Sequence, residues 1–69
     1  MKVHLSDSSL LARLAEDLRR GGCVPSMAED GTLDVVQPDA RDVREARLEL
    51  TFFLRAWQFR HPEVEVTFA

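Results

Sequence analysis

The chain has 69 residues, 45% hydrophobic and 30% charged, with a net charge of −3 and one cysteine. This is the composition of a single small globular domain spanning 1–69 rather than of a disordered chain. The acidic balance argues against nucleic acid as the default partner, Cys23 excludes an intrachain disulfide, and no stretch nears the roughly 20 apolar residues of a membrane span.

Charged and polar residues from Lys2 onward give no signal-peptide pattern. A single unpaired cysteine suits a reducing compartment, so a cytoplasmic protein is expected. A chain this short hides only about 60% of the surface its unfolded form exposes. Small domains offset that deficit with disulfides, a metal or a partner. His4, Cys23 and His61 are the soft metal ligands, and no two lie close in sequence. No metal site and no cofactor are therefore expected, which leaves association.

Residues 2–5, Lys-Val-His-Leu, alternate with Val3 and Leu5 on one side, as in a strand with one buried face. Ser6, Asp7 and Ser8 supply oxygen acceptors for a helix start, and a helix is expected over 8–20. Its apolar residues, Leu10, Leu11, Leu14, Ala15 and Leu18, form one face. Arg19 and Arg20 suit its negative end, and Gly21-Gly22 stops it. Residues 23–28 read as a second strand, which Pro25 confines to a sheet edge because proline has no N–H to donate. Glu29-Asp30-Gly31 is turn chemistry, followed by a third strand over 32–36 with Leu33 and Val35 inward.

Pro38-Asp39 is expected to open a long helix over 39–60, which ends before Pro62 because the preceding residue avoids helical geometry. A fourth strand over 63–68 turns Val64, Val66 and Phe68 one way and Glu63, Glu65 and Thr67 the other. The order strand, helix, strand, strand, helix, strand is that of the α+β, ferredoxin-like βαββαβ arrangement. It predicts a four-stranded antiparallel sheet with two helices on one face and the second and fourth strands at its edges. The fourth strand's free edge is a place where a neighbouring chain could add.

The long helix carries the main functional signal. At about 100° per residue, Val43, Ala46, Leu50, Phe53, Leu54 and Trp57 fall on one stripe. Leu48, Phe52, Ala56 and Phe59 fall on a second, roughly opposite. One stripe can face the chain's own sheet; the other has water behind it unless loops or a partner cover it. Arg44 and Arg55 flank this second stripe, and arginine beside aromatics is enriched at protein interfaces. Leu48, Phe52, Arg55 and Phe59 are the candidate interface residues, with a twofold homodimer of antiparallel helices as the simplest closed arrangement.

Two other chemistries have residues in their favour. Arg41, Arg44, Arg47, Arg55 and Arg60 could serve nucleic-acid association, but Asp42, Glu45 and Glu49 interleave with them. The sheet's open face is expected to carry Lys2, His4, Thr32, Asp34, Val36, Glu63, Glu65 and Thr67, with cross-strand pairs such as Lys2 with Glu65. His4, Asp34 and Glu65 could form an acid–base site there or at a subunit interface. No nucleophile motif or glycine-rich phosphate loop is present. The expected function is therefore a small oligomerising interaction or regulatory binding module, with no catalytic residue assigned and any small-molecule ligand unspecified.

Overall fold

Alternating apolar residues in β1 (Lys2–Leu5) and β3 (Leu33–Val36) organise the fold, because only one side of each strand is buried. The structure, a computed structural model, describes residues 1–68. After β1 come a 3₁₀ turn over Ser8–Leu10, α1 (Leu11–Arg20), β2 (Val24–Met27), β3, α2 (Val43–Arg60) and β4 (Val66–Phe68). The sheet is four-stranded and antiparallel in the order β2-β3-β1-β4. Its edges are the strand with Pro25 and the final strand, and the class is α+β.

Val3, Leu5, Leu33 and Val35 meet Leu11, Leu14, Ala15 and Leu18 of α1 and Leu50, Leu54 and Trp57 of α2 in one core. Both helices therefore cover the same sheet face, while Lys2, His4, Asp34 and Val36 are exposed on the other. Pro25 is buried opposite Val35.

Several boundaries differ from the sequence expectation. The first helix begins as a 3₁₀ turn, because Asp7 Oδ1 accepts from both the N–H and the hydroxyl of Ser9 and so tightens the entry. The long helix starts at Val43, not residue 39. Asp42 is its N-cap, its carboxylate accepting from Glu45 N–H at 2.8 Å. This aspartate, three residues before a glutamate, outcompetes Pro38-Asp39 as a start signal. The fourth strand begins at Val66 rather than Glu63. His61 carbonyl accepts from Val64 N–H and closes a turn there, while Val64 plunges into the core. The middle strands are each trimmed at their ends, to Val24–Met27 and Leu33–Val36.

The register also corrects the proposed Lys2–Glu65 pair. Lys2 lies opposite Asp34, and His4 opposite Thr67. Glu65 instead makes two hydrogen bonds with Ser6: its carbonyl accepts from Ser6 N–H, and its own N–H donates to the side-chain Oγ.

The β2–β3 hairpin closes where Ala28 N–H donates to the Thr32 carbonyl at 2.9 Å, leaving Glu29-Asp30-Gly31 as the loop. Gly31 adopts φ +82°, the left-handed conformation a three-residue hairpin demands. Gly22 takes φ +87° after α1, and Gly21 lets the Phe53 ring approach, since a Cβ there would lie 3.2 Å from Phe53 Cε2.

Asp7 and Asp30 each accept from a hydroxyl and a backbone N–H two residues on. First the hydroxyls of Ser9 and Thr32, then those N–H groups, hold both carboxyls below the ordinary aspartate value. Their stabilisation is present at neutral pH. As the pH falls from the ordinary aspartate value toward the lowered folded one, the unfolded chain takes up the protons first, and the contribution is lost. Asp7→Asn with Asp30→Asn should flatten the acid limb of stability against pH in urea titrations. An unchanged slope would refute this account.

The two helices are joined by a hydrogen bond from Trp57 Nε1 to Asp17 Oδ2 at 2.8 Å. Trp57 is fully buried, so Asp17→Ala strands its N–H and should cost about 1–3 kcal/mol. Urea unfolding measures this, and a midpoint equal to wild type would show that the pair is dispensable.

Candidate functional site

The candidate site is the solvent side of α2. An eighteen-residue helix is about 27 Å long, comparable with the molecule's longest dimension of 32 Å. Its inner side gives Leu50, Leu54 and Trp57 to the core, with Phe53 packed at the margin. On the other side Leu48, Phe52 and Phe59 are 58%, 68% and 87% exposed. Ala56 and Arg55 are exposed between them. Among the described residues no loop covers this stripe, so its residues are not core, and the four predicted interface positions share one continuous face.

The inner stripe differs at its start. Val43, expected to face inward, is 84% exposed. It belongs to the first turn after the Asp42 cap, where open space rather than packed side chains lies between it and β3. There α2 borders a groove of about 480 Å³ lined mainly by Met1, Val35, Val36, Val43, Ala46 and Leu50, with Asp42 and Arg47 contributing charge of both signs. Sequence reasoning missed this groove. It arises from the path of residues 37–42, for which periodicity carries no signal. At its margin Gln37 Nε2 donates to Glu49 Oε2 at 2.8 Å, leaving Gln37 Oε1 buried without a partner.

The far end of α2 is tied down. His61 caps it with Nδ1 2.9 Å from the Trp57 carbonyl, so that nitrogen carries the proton. Its ring stacks on the indole at 4.0 Å between centroids. The Gln58 amide accepts from Val66 N–H at 3.0 Å and donates to the Val64 carbonyl. The rigid C-terminal half of α2 thus presents Phe52 and Phe59 from a fixed support.

The arginines are dispersed. Arg41 pairs with Glu45 at 3.1 Å. Arg44 and Arg55 sit on one flank of the stripe by helical spacing, while Arg47 borders the groove and Arg60 lies on the opposite flank. Glu45 and Glu49 interleave with them, so α2 offers no uninterrupted basic track of the kind phosphate backbones select.

On the open sheet face a shallow recess is lined by Lys2, His4, Thr32, Thr67 and Phe68. Asp34 and Glu65 are not in its lining, so the three residues considered for acid–base chemistry do not converge on one cavity. Cys23 is buried, and burial first, then the negative charge of Glu49, raises its thiol pKa; it is a small hydrophobe in the core. Among the described residues, no group of three or more His, Cys, Asp or Glu is placed to hold a metal ion, and no helix is long and apolar enough to cross a membrane.

No protein-family model, curated protein or solved structure matches the chain.

The exposures separate residues that hold the monomer together from those free to meet a partner. Phe53→Ala should lower stability by about 1–3 kcal/mol, less than the cost for a fully buried phenylalanine. Phe59→Ala, measured where the protein is monomeric, should stay within about 0.5 kcal/mol of wild type. Equal losses in the two variants would show that Phe59 is part of the fold.

Proposed function

We propose that this protein is a small self-associating interaction module on a ferredoxin-like scaffold, and that the outer face of α2, through Leu48, Phe52, Arg55 and Phe59, is its binding surface. The scaffold reading is supported by the strand order β2-β3-β1-β4 with antiparallel neighbours throughout. The observation that carries the functional reading is the uncovered stripe itself. Fully burying each of its large side chains is worth about 1.5–3 kcal/mol, a large share of the stability of any small domain.

A second copy would have to cover a substantial share of the molecule. A standard interface takes about 800 Å² per partner, roughly a sixth of this molecule's 4738 Å² surface. Two phenylalanines supply the aromatic centre and arginines the rim, the composition enriched where proteins meet.

The sheet edges are weaker candidates. β4 is three residues long, and its Val66 N–H is already accepted by Gln58. On β2, Pro25 offers no donor. Association through α2 leaves both edges out of the contact.

Light scattering and sedimentation across a concentration series should give a dimer mass for wild type. Phe52→Asp should give a monomer of unchanged fold, since Phe52 is not in the core. A wild-type protein that stays monomeric at high concentration, or a Phe52→Asp variant with undiminished mass, would end this reading.

A further inference from the structure

We infer that the partner of α2 is the same helix of a second copy running antiparallel, with the twofold axis near residue 54. This rests on the self-association proposed above and adds its geometry. The stripe is uneven in size: along the helix it reads Leu48, Phe52, Ala56, Phe59, with a small residue between the two rings. By helical spacing all four lie within about 40° of Phe52, and none is buried by this chain.

An antiparallel pair centred near 54 sets Phe52 of each copy over Ala56 of the other, and Phe59 against Leu48. Large then meets small, as interdigitated packing requires. An in-register parallel pair instead sets each ring against its own copy and leaves the two Ala56 methyls facing across a gap.

Charge follows the same arrangement. In an antiparallel pair each flank of one helix meets the same flank of the other. Glu49 and Arg60 both lie about 60–80° to one side of Phe52, and the antiparallel register puts Glu49 of each copy beside Arg60 of the other. On the opposite flank the two Arg55 side chains approach near the axis as like charges. Both are exposed and free to splay, and each lies beside the other copy's Phe52, over which a guanidinium can stack. The N-terminal turns, including Arg44, fall outside the contact, and the groove beside Val43 and Leu50 is on the other side of α2.

The test is an inter-copy distance. Arg44 is exposed, so a nitroxide on Arg44→Cys, in a Cys23→Ala background, leaves the stripe intact. The antiparallel pair separates the two labels by about 30 Å along the helices. A parallel pair sets them level on opposite flanks of helices about 8–10 Å apart, so the labels lie within about 20 Å. Pulsed dipolar spectroscopy should give about 30 Å in a species whose mass is that of a dimer. A distance under about 20 Å in a dimer overturns the orientation and leaves self-association standing, whereas a monomer mass overturns both. Ala56→Leu gives an independent reading. It overfills the hole beneath Phe52 and should weaken antiparallel association about tenfold. Strengthened association would mean that it fills the parallel gap, and would overturn the proposal.

Discussion

A helix lying on a sheet can give that sheet only one of its sides. α2 runs nearly the length of the molecule and is apolar on two sides, so one of them is left to water. α1 gives the internal comparison. Its buried residues, Leu11, Leu14, Ala15 and Leu18, lie on one face, and its outer positions include Arg13, Glu16, Arg19 and Arg20. Arg19 and Arg20 both pair with Glu16. The same sheet and the same core thus carry one helix with a charged outer face and one with an aromatic outer face. The contrast is what singles out the outer side of α2 as the proposed binding surface.

The two ends of α2 are held by different means. At the C-terminal end, Trp57 fills the core, donates to Asp17 and stacks on His61, while Gln58 serves the backbone of the segment leading into β4. One helical turn therefore fixes α1, α2 and β4 together. The N-terminal end has the Asp42 cap and the Gln37–Glu49 contact, and a groove lies between it and β3. Phe52 and Phe59 project from the tightly held half. An anchor side chain on a fixed support gives up little ordering entropy on binding, which leaves more of its burial energy for affinity.

The strands and both helices were legible because periods of 2.0 and 3.6 residues survive in so short a chain. Pro25 marked an edge for a reason independent of periodicity, its missing N–H. The two stripes of α2 could also be read from spacing, and the exposure of Leu48, Phe52 and Phe59 follows it. Other features were not legible. The helix start was misjudged because Pro38-Asp39 and Asp42…Glu45 both resemble caps, and only the 2.8 Å bond to Glu45 N–H chooses between them. Val43 has the phase of a core residue but borders the groove between α2 and β3, where no side chain packs over it. The Lys2–Glu65 pair failed because a turn through Val64 delays the last strand, and cross-strand register depends on where pairing begins.

The protein's two kinds of unpartnered surface differ in what they would assemble. Sheet edges are open-ended: a strand added at one edge exposes another, and the process can continue into fibres. A helix face used by two copies about a twofold axis is consumed by the contact it makes, and the assembly stops at two. In this chain the open-ended routes are the blunted ones, with Pro25 on β2 and a three-residue β4 whose Val66 N–H is already bonded to Gln58. The self-limiting route is the one left apolar. That distribution favours the proposed closed pair over open-ended aggregation.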